Sequence, residues 1–261
     1  MTLVARAFRG TGRMVSFYTR ERGLVEAAAR GVGRPGSSLA PAVEVFTLSK
    51  LFLAEGRGAD RLTQAEVMES FYELRRDMTR YAYAAVACEL ILRTTEPGQA
   101  IPGLFETLVD YLRAMQETSH PRLLSWAFEL AYLEMSGLAP VLGRCARCER
   151  PIVGGVYVPA HGGLLCAECV PELGEGRHIS PGTARTLAAM RAFDLDRLDR
   201  LRMPQAAAAE IAGLLRDHVR YHLEVSLKAE KFVESLGQWR KSPAPPRPSD
   251  KEPRRGDAHD Q

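Results

Sequence analysis

The sequence predicts an α+β chain: a small amino-terminal β barrel, then a helical half that carries a four-cysteine module. Three observations predict it. Apolar residues alternate in short runs over the first ~65 positions, the pattern of half-buried strands. From Glu69 the spacing changes to three and four, the pattern of an amphipathic helix. Four of the five cysteines then fall within 25 residues as two matched C-x2-C pairs.

Five strands are expected over residues 3–8, 14–19, 24–32, 43–53 and 61–67. Gly10 and Gly12 separate the first two, and Glu21-Arg22-Gly23 separates the next two. Residues 31–41 form a Gly/Pro/Ser-rich loop, and Gly56 and Gly58 break the fourth strand from the fifth. Five short strands with turns between them suit a small closed barrel; a meander is the other arrangement that the pattern admits.

The first helix carries Phe71, Leu74, Met78, Tyr81, Ala85, Cys88 and Leu92 as one apolar stripe. Further helices are expected over 104–116 and 123–135, the latter stopped by Gly137 and Pro140. A shorter helix covers 183–193. A long one runs from 205 to 236, with Pro204 suited to its first turn. The organisation is therefore a barrel over 1–68, a helical domain over 69–240 with the cysteine module at about 143–171, and a tail over 241–261. That tail holds five prolines, five cations and four anions and no large apolar residue. It has nothing to bury against the entropy of ordering, so it is expected to be disordered.

The chain of 261 residues has 35 basic and 32 acidic side chains, a net charge of +3. No apolar run approaches the roughly 20 residues that span a bilayer. The amino-terminal region has no apolar signal-peptide core, so a cytoplasmic location is expected. The five cysteines make an odd set, which argues with that location against a disulfide framework.

Cys145, Cys148, Cys166 and Cys169 are the expected metal ligands. The pairs are 17 residues apart, a separation typical of zinc sites. Two thiolates three positions apart on a tight knuckle can each lie ~2.3 Å from one ion, and two knuckles complete a tetrahedron. A hairpin from residues 152–158 and 163–165 would bring them together. Four thiolates leave no open position for water or substrate, so the expected role is structural, one zinc per chain. His161 lies between the knuckles and is not needed as a ligand. His218 and His222 sit four apart on the last helix, but the residue between them in a zinc-protease motif would be Glu and here is Val219. They read as helix-surface or half-buried groups, and Cys88 as core.

Charge is uneven. Residues 1–36 hold seven arginines against Glu21 and Glu26, a local +5, and Phe8, Phe17 and Tyr18 are interleaved with them. Arginines for phosphates with aromatics for base faces are what a single-strand-binding barrel needs. Arg13, Arg20, Arg22, Arg30 and Arg34 are the expected DNA-contacting residues. Contacts of this kind track the backbone and carry no base sequence.

Several segments resemble the RecO family of bacterial recombination mediators. These are Val15-Ser-Phe-Tyr-Thr-Arg-Glu-Arg-Gly-Leu24 followed by Ala29-Arg30-Gly31, then Phe46-Thr-Leu, Leu62-Thr-Gln-Ala-Glu66, Leu74-Arg-Arg-Asp77 and Ala127-Phe-Glu-Leu130. Cys145/Cys148 and Gly162-Gly-Leu-Leu-Cys166 with Cys169 complete the set, in order, over about residues 3–236. The resemblance implies an amino-terminal OB-fold and a zinc module inserted in a helical domain. It implies a protein of DNA repair and recombination that binds single- and double-stranded DNA, at the nucleoid, and anneals complementary strands. It also implies partnership with RecR in helping RecA replace the single-strand-binding protein. This sequence departs from the family at Phe8-Arg-Gly-Thr-Gly-Arg13, after the first strand, and carries fewer cations in the loop 34–39. The chain is expected not to be an enzyme: it has no phosphate-binding loop, no deaminase motif and no acidic pair at a tell-tale spacing. A zinc-ribbon adaptor that binds only protein, or a zinc-dependent nucleic-acid-modifying enzyme, are the alternatives.

Overall fold

The computed structural model describes residues 1–239 apart from 57, 171–175, 192–193, 195–197, 199–200 and 202, with side chains described to residue 236. The tail at 241–261 lies outside the described residues.

The amino-terminal strands are β1 (Thr2–Phe8), β2 (Gly12–Thr19), β3 (Gly23–Ala29), β4 (Thr47–Ala54) and β5 (Asp60–Ser70). They form one sheet in the order β1-β2-β3-β5-β4, with β3 and β5 parallel and the other pairs antiparallel. The sheet is not closed into a barrel, which corrects the expectation from strand count. No ladder joins β1 to β4 among the described residues; the two edges meet where the Phe46 N–H donates to the Thr2 carbonyl over 3.0 Å. The physical cause is local. Pro41 opens a 3-10 turn through Val43, and Phe46 takes φ +60°, so β4 starts at Thr47 rather than at residue 43. Proline removes a ladder donor, and a left-handed residue breaks the extended run.

The two faces of the sheet bury different cores. Val15, Phe17, Ala27, Ala29, Val32, Val43 and Leu62 pack together on its inner side. Met1, Leu3, Tyr18, Leu24, Phe46 and Leu48 join the much larger core of the helical half. Alternation along β2 sends Phe17 one way and Tyr18 the other, as a period of two requires.

The helical half contains α1 (Tyr72–Arg76), α2 (Met78–Thr94), α3 (Leu104–Glu117), α4 (Pro121–Met135), α5 (Pro181–Met190), α6 (Gln205–His222) and α7 (Lys228–Trp239). The Asp77 carboxylate caps α2 by accepting from the N–H groups of Thr79 and Arg80, at 2.8 and 3.0 Å. Helix α2 runs through the middle, against α1, α3, α4 and α7. Its buried residues, among them Ala82, Tyr83, Val86, Ala87, Cys88, Leu90 and Ile91, cover most of its circumference. The single stripe read from the sequence is only part of that buried surface: Phe71, Leu74 and Cys88 are buried and Ala85 and Leu92 pack against the core, but Met78 and Tyr81 are exposed. A central helix is apolar nearly all round, and periodicity does not mark its direction. Cys88 is buried in this core, and burial pushes its thiol up to about 12.

The last helix is two helices. The chain turns at residues 223–227, where Glu224 takes φ +55° and Val225 and Leu227 are buried. The turn lets α7 fold back on α2, where the Glu89 carboxylate accepts from the Ala229 N–H at 2.7 Å, in the first turn of α7.

Candidate metal centre and basic pole

The cysteine module is a three-stranded sheet with two knuckles at one end. Strands β6 (Gly155–Val158) and β7 (Gly163–Leu165) form the expected hairpin, joined by a 3-10 turn at Pro159–His161. A third strand, β8 (Arg177–Ile179), pairs with the other edge of β6. At the first knuckle the Glu149 N–H donates to the Cys145 carbonyl over 2.9 Å, with Glu149 at φ +61°. At the second, the N–H groups of Cys169 and Val170 both donate to the Cys166 carbonyl. Arg150 and Glu168 clasp the knuckles from outside at 2.5 Å.

The four thiols converge, their sulfurs all lying within 4.8 Å of one another. Cys148 Sγ and Cys166 Sγ are 3.8 Å apart. That spacing is the edge of a tetrahedron whose corners lie ~2.3 Å from its centre, roughly 3.8 Å, so the donor set fits a metal ion of tetrahedral preference. The Cys166 N–H donates to Cys145 Sγ at 3.4 Å. Burial raises the Cys145 thiol, but backbone N–H groups of Cys148, Cys166 and Arg147 outweigh that and bring it down to about 6. A thiolate stabilised by amide donors is prepared to ligate. Cys145, Cys166 and Cys169 are buried, and Cys148 is exposed. These four residues could hold one metal ion, with no fifth donor needed.

The module is anchored to the helices. Arg177 on β8 donates twice to Asp217 of α6, at 3.0 and 2.7 Å. Its guanidinium lies across Gly213 so closely that a Cβ there would collide with it, so this helical glycine answers a close approach. His218, read from sequence as surface or half-buried, is 1% exposed. Its Nε2 donates to the Leu138 carbonyl at 2.6 Å, which forces Nδ1 to accept, and the Tyr157 hydroxyl on β6 donates to it at 2.7 Å. The His222 ring lies against His218, tilted by 42° with ring centroids 4.3 Å apart, and His161 is exposed on the module's turn.

The five arginines expected to contact DNA do not lie together. Arg20, past the end of β2, donates to Glu106 of α3 at 2.7 Å and lies over the Phe105 ring at 5.0 Å. Arg22 donates to Asp60 at the start of β5, at 2.9 Å. Both serve as clasps. Arg13, Arg30 and Arg34 gather at the other end of the β2–β3 hairpin. Arg13 sits across from Ala29, the residue before Arg30. The Arg34 side chain folds back to 3.6 Å from where a Gly31 Cβ would be. The Gly33 N–H donates to the Thr11 carbonyl at 2.8 Å and ties this loop to the β1–β2 turn, where a Cβ on Gly33 would meet Thr11 at 3.3 Å. That turn carries Arg9, which sequence reasoning did not single out. Segments 7–20 and 27–43, which build this pole, contain no Asp or Glu. Arg9, Arg13, Arg30 and Arg34 are exposed and have no ion pair among the described residues.

Of the three aromatics interleaved with these cations, Phe17 and Tyr18 are fully buried. Phe8 alone is half-exposed, with the Arg9 guanidinium 5.5 Å from its ring centroid. No helix among the described residues is long and apolar enough to cross a membrane.

Comparison with known proteins covers nearly the whole of this arrangement. Residues 1–71 match the family model described as "Recombination protein O N terminal", and residues 75–231 the one described as "Recombination protein O C terminal". The chain is similar to the DNA repair protein RecO of Symbiobacterium thermophilum, 36% identical over 237 residues, 88% of this chain and 93% of that one. It is 34% identical over 227 residues to the DNA repair protein RecO of Pelotomaculum thermopropionicum, 87% of this chain and 88% of that one. The protein of the same name from Listeria monocytogenes is 28% identical over 233 residues, 89% of this chain and 91% of that one. These names describe repair and recombination proteins and none names a catalysed reaction.

Proposed function

Because this chain belongs to the RecO family of DNA repair and recombination proteins, we propose that it is a non-enzymatic recombination mediator that holds DNA strands on its basic pole. The observation that carries this reading is the pole built from two segments without Asp or Glu, where four exposed arginines, Arg9, Arg13, Arg30 and Arg34, have no ion pair among the described residues. Guanidinium groups neutralise phosphates bidentately and release counterions, which gives affinity without base readout. Two complementary strands neutralised in this way can approach and pair, which is annealing. Partnership with RecR, and help to RecA on DNA covered by the single-strand-binding protein, complete the proposed role. The cytoplasm, at the nucleoid, is its place.

The sheet supports an OB-type reading of residues 1–68: its order, the parallel β3–β5 contact and the approach of β1 to β4 are those of a partly open five-stranded barrel. The helical domain at 69–240 would offer the partner surface. The ion at Cys145, Cys148, Cys166 and Cys169 is proposed to be zinc, since sulfur-only tetrahedral sites select it. Such a site is saturated, so the zinc braces the module against α6 and takes no part in chemistry.

The test is binding of a labelled oligonucleotide at two salt concentrations, with an annealing assay on complementary strands. Affinity should fall steeply with salt and be alike for unrelated sequences. Protein that binds no DNA at low salt would overturn the reading in favour of an adaptor that binds protein alone.

A further inference from the structure

We propose that Phe8 is a stacking platform for an unpaired nucleobase, and that Arg9 beside it holds the adjoining phosphate. The inference rests on the DNA-binding reading above and adds a ligand chemistry to it: single-stranded rather than duplex DNA at this turn.

Four observations place the site. Phe8 belongs to none of the apolar clusters among the described residues, whereas its neighbours in the basic segment, Phe17 and Tyr18, are core residues. Its cross-strand partner is Gly12, so no side chain stands directly opposite the half-buried ring on β2. Its visible neighbour is instead a cation, the Arg9 guanidinium at 5.5 Å. Arg9 also takes φ +33°, in a region that side-chain-bearing residues avoid, next to Gly10 at φ +64°. A glycine at position 9 would remove that strain, yet the residue there is the arginine that faces the ring. Strain retained at an exposed cation beside a half-buried ring is the pattern of a ligand site.

The chemistry is general. Every nucleobase has a π face, and an aromatic ring with a guanidinium alongside accepts any of them without reading sequence. Bases inside a duplex are already stacked and present no free face. The platform therefore discriminates by strandedness, while Arg13, Arg30 and Arg34 contribute charge to either form. Around the Thr11–Gly33 tie the ring and these cations share one end of the sheet.

The experiment uses the full chain and two fluorescent probes of equal length, oligothymidylate and an abasic deoxyribose-phosphate oligomer. The two carry the same phosphates, so their affinity ratio isolates the bases. The unaltered protein should prefer oligothymidylate by about 5- to 150-fold, the range for one stacked base. F8L should lower the ratio toward one, F8Y should keep it, and R13A should weaken both probes equally and leave the ratio alone. A folded F8L protein that keeps the ratio overturns the platform while the basic pole stands. Failure of the unaltered protein to bind either probe overturns both. If F8L does not melt cooperatively, photocrosslinking of the unaltered chain to oligonucleotides carrying 5-iodouracil decides: adducts on Phe8 support the site, and adducts only elsewhere overturn it.

Discussion

The Tyr157 hydroxyl donates to His218 Nδ1 over 2.7 Å, and this bond couples the metal module to the helical core. The same imidazole donates from Nε2 to the Leu138 carbonyl at 2.6 Å, so its neutral form satisfies both partners. Protonation would turn the Tyr157 hydroxyl from donor to acceptor and put a charge in a site that is 1% exposed. Burial, with the charge of neighbouring His222 adding to it and the Leu138 carbonyl opposing it, brings His218 down to about 4 from its ordinary 6.5.

Stability should therefore fall away on the acid side. A folded-state value depressed below that of the unfolded chain means that the unfolded chain binds the extra proton, so the contribution is present above pH ~6.5 and fades as pH falls toward about 4. The full effect is on the order of 3 kcal/mol. The groups facing the ring are Tyr157 and His222, with the Leu138 carbonyl. Thermal melts between pH 4 and 7 should show H218Q with a flatter acid limb than the unaltered protein. Y157F, which leaves Nδ1 without a donor, should cost about 1–3 kcal/mol at neutral pH. Parallel melting curves for H218Q and the unaltered protein would contradict the assignment.

Glu129 on α4 should act in the opposite direction. It is 8% exposed and lies beside a cavity of about 870 Å³ whose walls include Tyr83, Trp126 and Glu230. Burial first, and then the charge of Glu230, push its carboxyl up to about 8, against the relief that a hydrogen bond from Ser125 gives. The folded chain here holds the extra proton, so stability falls as pH rises from the ordinary carboxyl range through about 8. E129Q keeps the shape and removes the charge. It should gain about 1–3 kcal/mol at pH 9 and nothing at pH 5. Differential scanning calorimetry at the two pH values checks this, and equal shifts at both would count against it.

The metal centre makes a local prediction. Chelation, or C145S or C166S, should release one zinc per chain and open residues 141–179 to protease, because ligand binding and folding share one free energy there. C148S removes the exposed ligand and should weaken the site with less effect on packing, as the other three thiols sit in the small Val158 and Leu165 core. Elemental analysis of protein purified without chelator, followed by limited proteolysis, is the measurement. Protein that carries no metal and is equally protease-resistant with or without chelator would sink it.

What could be read from the residues and what could not divides along the range of the interactions. Paired C-x2-C knuckles are local geometry, so the convergence of Cys145, Cys148, Cys166 and Cys169 was legible. Strands β1, β2 and β3 start within two residues of where alternation and turn glycines put them. Strand β8 has only three residues and no periodicity of its own; its place comes from pairing with β6 and from the Arg177–Asp217 ion pair. The break after His222 depends on Val225 and Leu227 finding the core and on Glu89 receiving Ala229, interactions made far along the chain. The arginines show the limit most clearly. Charge content marked the region, but Arg20 meets Glu106 across 86 positions and Arg22 meets Asp60 across 38, and no local pattern announces either pair.

That division yields the last prediction. Arg13, Arg30 and Arg34 are exposed and have no ion pair among the described residues, so each should engage phosphate. Arg→Ala at any of the three should weaken binding to unrelated oligonucleotides by a similar factor. Each should also lower the salt slope by about 0.7, the value for one single-strand phosphate left without its cation. Melting should change by no more than ~0.5 kcal/mol, because these exposed side chains hold nothing in place. Arg20 and Arg22 should behave in the reverse way. Their guanidiniums are engaged at 2.7 and 2.9 Å, and Arg20 also covers the Phe105 ring. Exchanging them costs exposed ion pairs worth ~0.2–1 kcal/mol, which a melt detects, and should leave the salt slope where it was. To reach DNA, either would first have to give up its carboxylate, so its net gain from a phosphate is small. Salt titrations of R13A/R30A/R34A beside R20A/R22A separate the two sets. A slope reduced by the second pair and untouched by the first three would move the DNA from the pole to the seam between the sheet and α3.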